Sequence, residues 1–161
     1  MHTPGWEWFL LLFLLVWVGA LHLLARVGGW ASLARVYRLE DSFAGDRWRF
    51  QSGQMRWATN YGSILTVGAN RRGLYLAVFL PFRFGHPPLF IPFADISAGT
   101  MRGRAFAHYE LGFRRVPGIP FRVSERLGRR IATAAGPSWP GHIQAETLPK
   151  KPSQADGRAS T

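Results

Sequence analysis

The sequence predicts a mainly β domain carried on one N-terminal membrane-spanning helix. Three observations predict it. Residues 8–25, WFLLLFLLVWVGALHLLA, form an apolar run whose only ionisable member is His22. From Arg47 onward, apolar residues come in short runs parted by Gly, Pro and Asn, without helical spacing. After Ser124 the period changes again, so that one C-terminal helix follows seven short strands.

The anchor is expected over residues 6–26. Its 18-residue apolar run reaches about 27 Å as a helix, close to the ~30 Å hydrocarbon core of a bilayer. Trp6 and Trp8 flank one end, and Arg26 and Trp30 the other, as interfacial aromatics and a terminal base do. The run has no polar face, which argues against a buried core helix. A cleaved signal peptide is the rival, with Val18-Gly19-Ala20 as a small-residue cleavage site. Against it, the residues before the run include no Lys or Arg and carry Glu7. The bases come afterwards, at Arg26, Arg35 and Arg38. The positive-inside rule then places the short N-terminus outside and the C-terminal domain in the cytoplasm, as a single-pass protein. His22 is a candidate functional group by position, although a neutral His one turn from the interface is readily tolerated.

Residues 29–39, GWASLARVYRL, place Trp30, Leu33, Ala34 and Tyr37 at i, i+3, i+4 and i+7. Arg35 and Arg38 fall elsewhere on the wheel. The spacing predicts a short amphipathic helix on the membrane surface; a helix packed on the domain, or one continuing the anchor, has the same spacing. The expected membrane-interface residues are Trp6, Trp8, Arg26, Trp30, Arg35 and Arg38.

The strands follow. Residues 47–57 have mixed alternation with β-formers, and SILTV (63–67) is a short strand ended by the turn Gly68–Gly73. LYLAVF (74–79) and PLFIPF (88–93) are continuous apolar strands, with Pro92 favouring an edge or bulge. Residues 95–102 and 105–113 form a hairpin around Gly103, and IPFRV (119–123) is the last strand. Ser124 is an N-cap, Glu125 lies in the first turn, and Leu127, Arg130, Ile131 and Ala134 have helical spacing up to Gly136-Pro137. Leu65, Val67, Leu74, Leu76, Val78, Phe90, Ile91 and Ile96 can fill a core that Leu127, Ile131 and Ala134 plug. Residues 137–161 hold four Pro and little periodicity, and are expected to be a disordered tail.

Gly73-Leu74-Tyr75-Leu76, the basic segment ending Phe82-Arg83-Phe84, and Leu89-Phe90-Ile91-Pro92-Phe93-Ala94-Asp95-Ile96 carry a resemblance. They resemble the GL-x-L strand, gap and IP-aromatic-x-D/E-I strand entry of bacterial PH-like and GRAM-like domains. The resemblance covers residues 44–136. It implies a strongly bent seven-stranded antiparallel sheet or barrel, capped by a C-terminal helix, and a bacterial inner-membrane setting. The sequence departs from the pattern in FRFGHPPL (82–89), which is rich in Pro and aromatics, and in a first strand with Trp48 and Trp57. A different small β-barrel or sandwich is the alternative fold.

The chain has no cysteine, which excludes a disulfide scaffold, a thiolate metal site and a cysteine nucleophile. It contains no GxxxxGK[ST], GxGxxG, GxSxG or HExxH. Gly68–Gly73 lacks the Lys-Ser/Thr of a phosphate cradle and is a plain turn. His2, His22, His86, His108 and His142 lie far apart, with no metal-ligand spacing. His86, before two prolines, is a rigid loop residue. Asp95 and Glu110 could pair across a hairpin, but Asp95 in its context caps a turn or bulge. No enzyme, cofactor, metal or small-molecule substrate is expected.

What remains is charge. The net charge of the whole chain is +11, and 18 of its 20 bases are Arg. Residues 26–135 carry the excess. Near an anionic leaflet each surface base contributes about 1 kcal/mol, and Arg suits phosphate headgroups. The expected anionic-surface contacts are Arg47, Arg49, Arg56, Arg71, Arg72 and Arg83. A solvated basic face that only obeys the positive-inside bias has the same composition. The expected function is a non-enzymatic scaffold presenting a basic domain to the inner leaflet, for a protein partner or anionic membrane lipid. A membrane-associated single-stranded nucleic-acid binder is the alternative, since bases and aromatics interleave at Arg47-Trp48-Arg49-Phe50. Strict alternation would put the two arginines and the two aromatics on opposite faces, which weighs against it. A membrane-bound enzyme ranks last.

Overall fold

The computed structural model describes residues 5–56, 59–102 and 107–140. Helix α1 (Gly5–Val27) leads into α2 (Trp30–Tyr37). Strands β1 (Asp46–Met55), β2 (Thr59–Ala69), β3 (Gly73–Val78), β4 (Leu89–Pro92), β5 (Ile96–Arg102), β6 (Ala107–Phe113) and β7 (Phe121–Ser124) precede α3 (Glu125–Ala135). Single 3-10 turns lie at Leu80–Phe82, Phe93–Asp95 and Gly136–Ser138.

The seven strands form one antiparallel sheet in the order β4-β3-β2-β1-β7-β6-β5. Its two edge strands, β4 and β5, are joined by the three residues Phe93–Asp95, so the sheet curls until it nearly closes. Strand β1 pairs with β2 along its length and with β7 at Gly53–Met55. Its register to β2 slips between Trp48 and Gln51 and again between Gln51 and Gly53. Phe50 and Ser63 take φ of 56° and 53° at these slips. Bulges of this kind bend a strand and re-aim its side chains. They also break the apolar alternation, which is why β2 begins at Thr59 although only 63–67 reads as a strand.

The centre of the core is mostly apolar. Trp30, Leu33, Leu65, Val67, Leu74, Leu76, Leu89, Ile91, Leu111, Phe121 and Ile131 have no exposed surface. Phe90, expected there, lies instead on the outer face with Phe43 and Tyr75. Ser124 caps α3, its Oγ accepting from the Leu127 amide at 3.3 Å. Gly128 looks costly in mid-helix, but a Cβ there would lie 2.1 Å from the Tyr109 ring, so close packing selects it.

Two boundaries move. Helix α2 packs on the domain. Its apolar face, Trp30, Leu33 and Tyr37, is buried in the domain core, because the open side of the sheet needs a cover. The domain therefore begins at α2, not at residue 44. At the other end Trp139, in the segment expected to be a tail, is buried with its ring 6.0 Å from both Phe93 and Tyr109. The packed structure extends at least to Trp139; residues 141–161 lie outside the described residues, as do Trp57 and the turn at Gly103.

Candidate membrane-contact site

Helix α1 is long and apolar enough to cross a membrane. Every residue from Gly5 to Trp17 is exposed, Trp6 and Trp8 among them, and only Leu21 and Ala25 are buried. Its C-terminal half is docked on the domain. The Trp17 indole N–H donates to the Pro81 carbonyl at 3.4 Å, and its ring lies 5.6 Å from that of Phe82. Gly85 packs against His22 and Ala25, close enough that a Cβ would meet both within 3.4 Å. The Arg56 guanidinium donates to the Val27 carbonyl at 3.0 Å, satisfying a group that the helix end leaves open.

The connection from β3 to β4, residues 79–88, thus has two sides. Its inner side holds His86, which is 1% exposed. The His86 Nδ1–H donates to the Phe84 carbonyl at 3.1 Å, because a carbonyl can only accept. Nε2 is then the acceptor for the Tyr61 hydroxyl at 3.2 Å. Trp30 packs on both rings, at 5.6 Å from Tyr61 and 5.3 Å from His86, and its indole N–H donates to the Pro87 carbonyl at 2.9 Å. Burial lowers the His86 pKa below the ordinary imidazole value, and the neighbouring His22 adds to this. Burial also raises the Tyr61 hydroxyl above the usual phenol value. Trp30, expected at the membrane interface, is therefore a core residue.

The outer side of the connection is bare. Phe79, Leu80 and Phe84 are 45%, 71% and 51% exposed. Phe50, 63% exposed, joins them with its ring 5.8 Å from that of Phe79. Among the described residues outside α1, these four are the exposed large hydrophobic side chains. They were absent from the sequence-derived contact set. The signal was the run LAVFLPFRFG, whose apolar character outlasts the strand that explains its first half.

The six arginines expected to share an anionic-surface site separate into groups. Arg47, Arg49 and Arg83 line one groove of about 240 Å3 with Phe50, Phe79 and Leu80. The Arg47 guanidinium is held there by the Phe43 carbonyl and stacks 5.4 Å and 5.5 Å from the Phe43 and Tyr75 ring centres. Arg56 caps α1. Arg71 and Arg72 sit exposed on the β2–β3 turn and line no part of this groove. The strict alternation of β1 also fails. Trp48 packs against the core, whereas the bulge turns Phe50 outward beside Arg49. A second groove, of about 620 Å3 between α1 and α2, brings Arg26, Arg35 and Arg38 together with His22 and Glu40.

A groove of about 630 Å3 crosses β1 and β7; its described lining has one histidine, His108, and no carboxylate. Asp95 and Glu110 do not meet. Glu110 stands opposite Gly99 and pairs with Arg122 at 2.6 Å, while the Asp95 carbonyl accepts from the Arg114 amide. Among the described residues no three His, Cys, Asp or Glu are grouped to hold a metal ion. No family model, curated protein or solved structure matches the chain.

Proposed function

We propose that the protein is a single-pass inner-membrane module without enzymatic activity, holding a basic PH-like domain against the cytoplasmic leaflet to bind anionic lipid or a protein partner there. The observation that carries this reading is the docking of anchor and domain into one body. Ala25 of α1 belongs to the domain core, Arg56 caps α1, and Trp17 is clamped by Pro81 and Phe82. A domain on a flexible tether would sample all orientations; a docked one presents one fixed face to the bilayer. The sheet order, its curl and the capping helix support the PH-like assignment. The +11 charge, concentrated after α1, supports the N-out, C-in orientation.

The test uses the absence of native cysteines. Arg71→Cys in the full chain is exposed to a membrane-impermeant maleimide, in intact spheroplasts and after lysis. Labelling only after lysis is expected. Labelling of intact spheroplasts would overturn the orientation, and release of the protein by alkaline carbonate would overturn the anchoring.

A further inference from the structure

We propose that the loop 79–85 enters the bilayer beside α1, and that the groove behind it takes the phosphate of an anionic lipid headgroup on Arg47, Arg49 and Arg83. The inference rests on α1 spanning the membrane and names the face that reads the leaflet.

The first support is length. Helix α1 has 23 residues and extends about 34 Å, enough to cross the ~30 Å hydrocarbon core. The loop meets it from Trp17 to Ala25. Residues 5–16, which no part of the domain covers, extend only about 18 Å. That bare length is too short to span. If α1 crosses the bilayer, the part of the domain lying level with Trp17 must lie within it.

The second support is chemistry at that level. Among the described residues, the exposed large apolar side chains outside α1 are Phe50, Phe79, Leu80 and Phe84, all at this place. Water penalises them and acyl chains do not. Five of the seven backbone carbonyls in 79–85 are already hydrogen-bonded, which lowers the cost of leaving water. The carbonyls of Phe79, Leu80, Arg83 and Phe84 accept from Phe82 N, Arg83 N, His86 N and His86 Nδ1, and that of Pro81 from Trp17. Pro81 itself brings no N–H.

The third support is charge. Arg47, Arg49 and Arg83 converge on the groove directly behind this apolar edge. The two ion pairs among the described residues, Arg122–Glu110 and Arg129–Glu125, involve none of them. Arg47 and Arg49 on β1 stand behind the inserted edge and the long Arg83 side chain reaches back to them from the loop, so all three can meet phosphate oxygens at headgroup depth. A single-stranded nucleic acid could also use Phe50 and Phe79 as a stacking platform. The docking of the loop against the apolar anchor favours lipid.

The test uses the full chain in vesicles of phosphatidylglycerol and phosphatidylcholine, with one fluorophore-labelled cysteine at a time. Phe13→Cys reports on the span, Leu80→Cys on the loop and Arg71→Cys on the distal turn. Leu80 is 71% exposed, so its replacement leaves the core intact. Spin-labelled acyl chains are expected to quench the probes at 13 and 80, and not that at 71. Quenching at 13 with only aqueous iodide acting at 80 would overturn loop insertion and leave the anchor standing. No quenching at 13 would overturn the anchored reading itself. The groove is tested with the full chain in neutral detergent, titrated with tail-labelled phosphatidylglycerol. Replacing Arg47, Arg49 and Arg83 together by Gln is expected to weaken binding about 100-fold, roughly fivefold for each base. Unchanged binding in that variant would overturn the headgroup site. Displacement of the lipid by equimolar inorganic phosphate would make it a soluble-anion site, and displacement by a single-stranded oligonucleotide would make it a nucleic-acid site. Either would overturn the lipid proposal.

Discussion

Two aromatic clusters lie back to back on one connection, 79–88, and they are built differently. The inner one, Trp30, Tyr61 and His86, has a polar atom on every ring, and each of those atoms has a partner. The outer one, Phe50, Phe79 and Phe84 with Leu80, has no polar atom and stands largely exposed. Aromatics with polar handles can be buried at low cost when those handles are bonded, and they then fix geometry. Bare phenylalanines on a surface add nothing to folding and suit an apolar contact outside the protein. The inner cluster is thus built for stability, and the outer one fits the contact proposed above.

The sharpest way to break this contrast is to truncate one member of each. Trp30→Ala is expected to cost about 3–5 kcal/mol, because it empties a fully buried volume and orphans the Pro87 carbonyl. Leu80→Ala, at a side chain 71% exposed, should stay within about 0.5 kcal/mol. Denaturant unfolding of the full chain in neutral micelles checks both; equal losses would erase the distinction. Next comes the joint between the clusters and the anchor. Gly85 has φ of 76°, and a Cβ there would press on His22 and Ala25. Gly85→Ala is expected to cost about 1–3 kcal/mol and to raise amide exchange across 79–86. Protection unchanged from the parent would show that the loop is not seated on α1.

The inner cluster should also carry a pH signature. His86 has its pKa lowered by burial, so the native state resists a proton that the unfolded chain accepts near its ordinary value of 6.5. Stability is expected to be level above that value and to fall as pH drops through it. His86→Phe should remove that part of the slope, at the cost of the Tyr61 bond. A slope unchanged in the variant would assign it elsewhere. The smallest effect is expected at Tyr37, whose buried hydroxyl meets no partner at hydrogen-bond geometry among the described residues. Burial and the nearby Asp95 carboxylate both raise its pKa, consistent with a hydroxyl held neutral. Tyr37→Phe is expected to leave stability unchanged or raise it by about 0.5–1 kcal/mol, read as a thermal midpoint.

The parts of the fold legible in the sequence are those fixed by neighbouring residues. Strands β3 to β7, α1 and α3 could be read because each is a local statement: an apolar run, an alternation, a Ser cap followed by helical spacing. What could not be read was set by partners distant in the chain. Helix α2 carries the same stripe whether it faces lipid or protein; only the open side of the curled sheet decides that Trp30 turns inward. Phe50 was assigned to one face by strict alternation, and the β1 bulge put it on the other. Arg56 looked like surface charge beside Arg47 and Arg49, yet β1 is long enough to carry it to the end of α1. Trp139 sits among prolines and has no periodicity, but Phe93 and Tyr109 provide it with a seat. A truncated body starting at residue 40 would lose α2 and expose the core, so tests of lipid contact belong to the full chain.

The proposed docking makes anchor and domain one fixed body in the bilayer. Electron–electron distance measurement between spin labels on Leu12→Cys and Arg71→Cys, in full-length protein in lipid nanodiscs, tests it most directly. A single narrow distance distribution is expected, because the 79–85 loop, Arg56 and Ala25 lock the domain to α1. A broad distribution extending over tens of ångströms would contradict this docking and make the domain a tethered one.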